Sequence, residues 1–304
     1  PRASSAMEDL AELATVVNRR GLARMHSESF DPAEADFRSA RSLREWLCAN
    51  KTCPIEKVAG VIANLGNLRV HQERFNDSLV FFKEALQLMD AAGENEEAKR
   101  NAMNIHHSLA VNMQNCEEHT EFDKILLHLG AALKFAEELR DEEFEATILH
   151  ETAAALNRML DRKEASGKLN DTFLENTCSQ IESHHLRILG LPSVIQSEKD
   201  TARVAYFRAK NDLRRGRAEV ALEHALKCAA YHTSPASNAL CAIEIREWLS
   251  RILWALGRSA EAAEEIRAAV KNFEEVEAPE EHKAKIFFSL HDKYVACLMA
   301  SGQL

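Results

Sequence analysis

The side chains best able to bind metal or catalyse a reaction occur as short-range pairs in this 304-residue chain. His106-His107 and His184-His185 are direct neighbours, so in a helix the rings of each pair would point to different faces and could not share one metal ion. The chain has no glycine-rich phosphate loop, no His-Glu-x-x-His pair and no Cys-x-x-Cys pair. We therefore predict no enzyme activity, no metal site and no cofactor.

Seven cysteines, an odd number without paired spacing, indicate reduced thiols and hence a cytoplasmic protein. Cys48 and Cys53 lie five residues apart and could bind zinc only with further ligands that the sequence does not identify. No apolar run approaches the roughly 18 residues of a membrane span, and the first residues lack the apolar core of a signal peptide. The absence of Met at position 1 suggests a piece of a longer protein.

The composition indicates a helical protein with a sizeable core. Hydrophobic residues make up 46% of the chain, and the 10 Gly and 6 Pro are few for a sheet protein with many tight turns. Lys and Arg total 38 against 48 Asp and Glu, which gives a net charge of −10. This charge disfavours nucleic acid or an anionic membrane as the partner of the whole molecule, and it leaves room for a local basic face.

A regular spacing of small and aromatic residues predicts how the helices pair. Gly66 is followed by Ser78 after twelve residues and by Ala85 after nineteen, with Phe75 and Phe82 between them. We interpret this as two antiparallel helices, in which the glycine permits close approach and the small residues of the second helix lie on one face. One such hairpin cannot bury its apolar face alone, so the pattern should recur.

Five further sets of residues repeat these offsets, with three extra residues in the turn of the third unit. The sets are Gly21, Ala33 and Ala40; Ala110, Ile125 and Ala132; Ala153, Ala165 and Thr172; Ala209, Ala221 and Cys228; and Ser250, Ala262 and Ala269. The predicted units span about 14–47, 59–92, 103–139, 146–181, 202–235 and 243–276, followed by a capping helix at 284–300. The connection 182–201 contains Gly190-Leu191-Pro192, which breaks helices, so we expect a hinge or boundary there.

These offsets resemble the tetratricopeptide repeat family, and the resemblance covers about nine-tenths of the chain. The units repeat every 41 to 56 residues, longer than the ~34 of that family, and are similar to kinesin light chains and the GoLoco-type spindle-orientation adaptors. The resemblance implies an all-α, right-handed superhelical solenoid of about six hairpins in a single domain. It also adds the cytoskeleton as a candidate location.

In this family the first helix of each unit lines the concave surface, which stacked repeats use for binding. Asparagine side chains there can pair with the main chain of a peptide, and the basic residues would favour acidic side chains. The asparagines are also compatible with a solvated helix face, and so is part of the basic run. The predicted groove residues are Asn18, Arg19, Asn64, Asn67, His71, Asn104, His107, Gln114, His150, Asn157, Arg158, Arg203, Tyr206, Lys210, Arg214, Arg251 and Trp254.

Two classes of function follow from these residues. The first is an adaptor or scaffold that binds an extended or short helical, acidic segment of a partner protein in the concave groove. The alternative is a structural subunit of a larger complex or homo-oligomer, assembled through the convex face and the connection 182–201, which is rich in apolar residues such as Leu186, Ile188 and Val194. The sequence does not determine the oligomeric state.

Overall fold

The structure is a computed structural model that describes residues 2–116, 121–195, 197–232 and 239–274, together with His291, Lys293, Val295 and Met299. All regular elements in these ranges are helices. They are α1 (Arg2–His26), α2 (Phe30–Ala49), α3 (Ile55–His71), α4 (Phe75–Met89), α5 (Glu96–Asn115), α6 (Phe122–Leu139), α7 (Glu142–Ala165), α8 (Asp171–Gly190), α9 (Pro192–Ile195), α10 (Glu198–Arg214), α11 (Ala218–His232), α12 (Ala239–Ala255) and α13 (Ser259–Glu274).

Successive helices pack as hairpins joined by short turns. The most extensive contacts are α1 with α2, α3 with α4, α5 with α6, α10 with α11 and α12 with α13. Successive hairpins also contact each other through the second helix of the earlier one, as in α2 with α3, α4 with α5 and α11 with α12. Because these contacts are mainly between neighbours in the chain, this is a helical repeat solenoid, and the predicted all-α repeat fold is confirmed.

The two glycines of the spacing pattern lie where the helices of a hairpin come closest. A Cβ atom on Gly21 would lie 2.7 Å from Phe37 Cε1, and one on Gly66 would lie 2.9 Å from Phe82 Cε1. Both phenylalanines are fully buried. The phenylalanine ring of the second helix therefore occupies the space that a larger residue of the first helix would need.

The small residues of the second helices form the packing face of five hairpins. Each of them is at most 1% exposed, whether it is alanine, serine or cysteine. These residues are Ala33, Ala40, Ser78, Ala85, Ala132, Ala221, Cys228, Ala262 and Ala269. The larger Ile125 and Leu129 fill the corresponding part of the third hairpin. The sequence pattern therefore gives the correct register in these five units.

The fourth unit differs from the prediction. Ala165 is the last residue of α7 and Thr172 lies in the first turn of α8, and both are exposed. The buried small residue of α8 is Cys178, which is followed after seven residues by the buried His185. The repeat offsets of twelve and seven residues identify the wrong residues in this unit. The reason is that α7 runs for 24 residues, one to two turns longer than most first helices.

The connection predicted at 182–201 is also largely helical. Ile181, His185 and Ile188 are buried at spacings of four and three residues, which is the period of one face of a helix, and α8 continues to Gly190. The helix ends before Pro192, as expected from the restricted backbone of residues that precede proline. Val194 of the short helix α9 is buried as well.

The chain divides into two compact units, Pro1–Ala155 and Leu156–Leu304. The division falls within α7 and not in the connection 182–201, where the sequence suggested a boundary. In the first unit the four helices from α3 to α6 form a core together with Ile148 of α7. In the second unit the four helices from α10 to α13 form a core. The predicted capping helix at 284–300 lies outside the described residues apart from four positions.

Candidate peptide-binding surface

The predicted groove residues all lie on the first helices of their hairpins. In the first unit α3 contacts both α1 and α5, and in the second unit α10 contacts α12. We call the side formed by α1, α3 and α5 the first-helix face of the first unit, and the side formed by α10 and α12 the first-helix face of the second unit. His150, Asn157 and Arg158 lie on α7.

Two predicted asparagines meet on the first-helix face of the first unit. The Asn64 side-chain amide donates a hydrogen bond of 3.0 Å to Asn18 Oδ1, and both residues are half-buried. This bond joins α3 to α1 across the face. Asn67 is half-buried nearby on α3, whereas Asn104 is exposed on α5. Arg19 is exposed on α1.

The imidazole of His71, at the end of α3, is exposed and lies edge-on to His26, with ring centroids 6.1 Å apart. His107, on α5, lies edge-on to Phe144 at 5.1 Å. Burial lowers the pKa of His107, and the nearby carboxylate of Glu151 opposes this shift. At neutral pH His107 is therefore uncharged and offers one donor and one acceptor.

Some polar atoms of this face are closed to solvent without a hydrogen-bond partner among the described residues. They are Nε2 of His107 and both side-chain amide atoms of Gln114, which lies seven residues further along α5. An unpaired buried polar group costs about 1–3 kcal/mol.

The first-helix face of the second unit carries positive charge around one indole ring. The ammonium of Lys210 lies over the Trp248 ring, 4.8 Å from its centroid, and the guanidinium of Arg251 lies 4.2 Å from the same centroid. Trp248 is 8% exposed, and Lys210 also lies 5.6 Å from the Tyr206 centroid. The Tyr206 hydroxyl donates a hydrogen bond to Glu244.

The positive charges of this face affect one another. Burial is the main cause that lowers the pKa of Lys210, and the nearby Arg214 and Arg251 lower it further, while Asp161 opposes the shift. Among the described residues Arg251 has no carboxylate within ion-pair distance, and it is exposed. An anion placed beside Arg251 and Lys210 would relieve this repulsion.

Several predicted groove residues are unavailable to a ligand. His150 is 1% exposed and Asn157 is 2% exposed, because both lie on the buried side of α7 together with Ala146 and Ala153. The side chain of Arg214 is 7% exposed, donates a hydrogen bond of 2.5 Å to Asn157 Oδ1 and pairs with Asp161. These residues hold the helices together, which corrects their assignment as contact residues.

The remaining predicted residues are at least partly accessible. Arg158 is exposed, Trp254 is 42% exposed and Arg203 is half-buried. Trp248 is not among the predicted groove residues, although Lys210 and Arg251 both contact its ring. The signal available in the sequence was its spacing of three residues from Arg251, which places the two side chains on adjacent positions of one helix face.

Comparisons with known proteins identify the fold. No family model matches the chain, and no curated protein matches it in sequence. Among solved structures, a signal transduction ATPase of the STAND class with a tetratricopeptide repeat sensor, from Pyrococcus horikoshii, aligns over 97% of this chain with a TM-score of 0.72 and 11% identity. The chain has a tetratricopeptide repeat fold. It spans 40% of the length of that ATPase.

Two further structures share the tetratricopeptide repeat architecture. A putative kinesin light chain from Podosopora anserina with nearly identical repeats aligns over 69% of this chain and 92% of its own length, with a TM-score of 0.50 and 13% identity. The apo form of the quorum sensor NprR from B. thuringiensis aligns over 98% of this chain and 80% of its own length, with a TM-score of 0.56 and 12% identity. NprR in complex with its cognate peptide NprX is also similar.

The tetratricopeptide repeat fold explains why the accessible candidates lie on alternate helices. The second helix of each hairpin packs against helices on two sides, since α2 contacts both α1 and α3, and α4 contacts both α3 and α5. The first helices leave one face outside these contacts, and Arg19, Asn104 and Arg251 are exposed there. None of the helices in the described ranges combines the length and apolar character needed to cross a bilayer.

Proposed function

We propose that this chain is an adaptor that binds an extended or short helical segment of a partner protein on the first-helix face of its second unit. The partner segment carries acidic side chains that pair with this face. The observation that carries this proposal is the placement of Lys210 and Arg251 on the Trp248 ring, with Arg251 exposed and without a carboxylate partner among the described residues.

The first-helix face of the first unit is a separate surface of a different kind. Asn67 is half-buried there and Asn104 is exposed. A peptide main chain has one donor and one acceptor per residue, so such side-chain amides can pair with it with little regard to its sequence. NprR has been solved with its cognate peptide NprX, which supports peptide binding as a use of this fold.

The proposed location is the reducing interior of the cell. Cys48, Cys53, Cys116, Cys178, Cys228 and Cys241 are all free thiols. Burial raises the pKa of Cys228 to about 12, so this thiol stays protonated and unreactive. A cytoplasmic adaptor that recruits its partner to a larger assembly is the function that best fits these residues.

Charge reversal of Arg251 tests the acidic-segment proposal. A partner segment is first identified by affinity purification and cross-linking mass spectrometry, and its affinity as a synthetic peptide is then measured by calorimetry. We expect Arg251→Glu to weaken binding at least about tenfold, because a desolvated charge-assisted hydrogen bond contributes about 1.5–3 kcal/mol. Arg251 is preferable to Arg214 as the target because Arg214 is held in a buried ion pair.

Lys227→Glu is the matched control for this substitution. It makes the same charge change in the second unit, on α11, where Lys227 pairs with Glu223 on the surface. Affinity for the peptide should be unchanged in this variant. Equal affinity of wild type and Arg251→Glu would exclude the proposed acidic contact, and equal loss in both variants would indicate a nonspecific charge effect.

A second candidate function is supported by exposed apolar residues on the second helices. Val80 on α4 is 65% exposed, Leu127 on α6 is 69% exposed and Leu186 on α8 is 56% exposed. A structural subunit would bury such residues in its complex. Replacing Val80 and Leu127 by serine should then dissociate the complex in light scattering and leave peptide affinity unchanged. An unchanged particle mass would exclude this function.

A further inference from the structure

A cleft of about 880 Å³ opens between α4, α5 and α6 in the first unit. The end of α4, the connection 90–94 and the first half of α5 form one side, and α6 forms the other. Leu86, Met89 and Phe135 give the cleft an apolar wall, and His106 lies at this wall with its ring stacked near that of Phe135. The cleft has the size of a small-molecule or cofactor site.

The side chain of His106 on α5 contacts that of His128 on α6 beside this cleft. Their Nδ1 atoms are 3.0 Å apart and their ring centroids are 5.2 Å apart. Both residues are half-buried. Burial lowers the pKa of His106 to about 4, with a smaller contribution from His128, and burial also lowers the pKa of His128. Both rings are therefore neutral at pH 7, and one Nδ1–H donates to the lone pair of the other Nδ1.

We propose that His106 and His128 together bind a divalent transition metal, with Cu²⁺ or Ni²⁺ preferred, through their two Nδ1 atoms. When the metal binds, it replaces the shared hydrogen bond. The ring that carried its proton on Nδ1 then carries it on Nε2, so both Nδ1 lone pairs point at the metal and no proton is lost from the pair. This site is independent of the proposed peptide-binding function.

The two nitrogens are close enough to contact one metal ion. At metal–nitrogen distances of about 2.0–2.1 Å, nitrogens 3.0 Å apart could bind it in cis positions once the rings turn out of their hydrogen-bonded alignment. Square-planar or tetragonal coordination is typical of Cu²⁺ and Ni²⁺, and imidazole suits both ions.

The charges around the cleft also favour a cation. Lys99 pairs with Glu138 at 2.6 Å, and Lys134 is 4.0 Å from the same carboxylate, so these three groups carry a net charge of +1. Asp90 and Glu94 also line the cleft and have no ion-pair partner among the described residues, and they bring the net charge of the five groups to −1. The negative charge of Asp90 acts on His106, since it opposes the lowering of that pKa.

The two imidazoles would supply two ligands of the metal. In the described part of the chain no group of three or more histidine, cysteine, aspartate or glutamate side chains is arranged around one point. The remaining coordination positions would therefore be taken by water. From the sequence, His106 was considered only beside its neighbour His107, and nothing in the sequence paired it with His128, 22 residues further along the chain.

Copper titration of the untagged full chain tests the site. We expect one tight equivalent of Cu²⁺ by calorimetry, with a competing chelator present, and a tetragonal electron paramagnetic resonance spectrum with two nitrogen ligands. His106→Gln and His128→Gln should each weaken this binding at least about tenfold, since even outer-shell changes at metal sites cost 10–100-fold. His71→Gln, which removes an exposed imidazole from α3, should leave it unchanged.

Three results would overturn the proposal. The first is wild-type affinity in both His106→Gln and His128→Gln, and the second is loss of binding in only one of them, which indicates a single surface imidazole. Circular dichroism establishes that each variant is folded. If a variant is unfolded, the electron paramagnetic resonance spectrum of the copper-bound wild type decides whether the site exists. Coupling of the copper to fewer than two nitrogen ligands in that spectrum is the third contrary result.

Discussion

Gly21 and Gly66 mark the closest contacts between the helices of their hairpins. In each case the glycine faces a fully buried phenylalanine of the second helix, Phe37 or Phe82, and a methyl group would lie within 3 Å of that ring. The ring cannot move away without disturbing its own neighbours, since protein interiors are close-packed. These single residues therefore fix how near α1 lies to α2 and α3 to α4.

Substituting Gly66 tests this packing. Gly66→Ala should destabilise the protein by about 1–3 kcal/mol, the usual cost of forcing extra volume into a packed core. Gly130→Ala is the matched control, because no atom lies within 4 Å of a Cβ placed there and α6 is a regular helix. It should be neutral or stabilising by up to about 1 kcal/mol. Urea unfolding measures both values, and equal effects would show that the close contact carries no energy.

Trp248 shows how one residue can organise a candidate site. Its ring is 8% exposed, but it positions the exposed Arg251 and the mostly buried Lys210 beside each other. Cation–ring contacts of this kind are worth about 0.5–2 kcal/mol and hold the guanidinium in a fixed plane. A fixed guanidinium plane is well suited to bidentate pairing with a carboxylate.

At the scale of elements, helix length decides which residues face the core. In the fourth hairpin the long α7 moves the start of α8 away from the position predicted by the repeat spacing. Cys178 then packs in the core, and Thr172 stays on the surface. Replacing each of these two residues by lysine should therefore affect the free energy of unfolding very differently.

Thr172→Lys should change the free energy of unfolding by no more than about 0.5 kcal/mol, as is usual for surface positions. Cys178→Lys should cost several kcal/mol, because it places a charge without a partner in the core. Thermal unfolding followed by circular dichroism distinguishes the two variants. If Thr172→Lys were the more damaging, the register predicted from the sequence would be the correct one.

Ion pairs also join neighbouring hairpins in the first unit. Glu34 of α2 accepts hydrogen bonds of 2.6 and 2.9 Å from Arg69 of α3 and pairs with Arg38. The hydrogen bond from Arg69 is the main cause that lowers the pKa of Glu34 from 4.5 to about 2, and burial opposes the shift. A carboxylate whose pKa is lowered on folding contributes stability above its unfolded pKa and loses it as pH falls.

The contribution of Glu34 should therefore be complete at neutral pH and decline between about pH 4.5 and 2. Wild-type protein should lose more thermal stability across this window than Glu34→Gln, which cannot titrate. At pH 7 the variant should be the less stable of the two, because glutamine carries no charge to pair with Arg69. Parallel stability curves for both proteins would show that this ion pair does not contribute.

At the scale of the whole molecule, the net charge does not describe the charge of each surface. The net charge of −10 describes the average surface, whereas the first-helix face of the second unit places Lys210 and Arg251 side by side. A partner segment with acidic side chains would therefore be recognised locally and repelled elsewhere, which favours one binding position over others.

Each compact unit has its own core, so a substitution in one hairpin acts first on its neighbours.

The repeat spacing in the sequence was sufficient to predict the helical hairpins and most of their packing residues. The small Gly66 and Ala85 and the large Phe82 fit together only when the two helices of the hairpin pack closely. The two helices of a hairpin are also neighbours in the chain, so their pattern can be read from one short stretch of sequence. The same local signal failed at α7 and α8, because helix length there depends on burial of Ile181, His185 and Ile188 against other elements.

Only the tertiary structure decided which polar residues are available for function. His150 and Arg214 resembled groove residues in sequence, yet one is buried and the other is held by Asn157 and Asp161. The pairing of His106 with His128 likewise depends on how α5 packs against α6. Local sequence determines the periodicity of a helix, whereas the exposure of a side chain and its distance from another depend on packing between helices, which no short stretch of sequence contains.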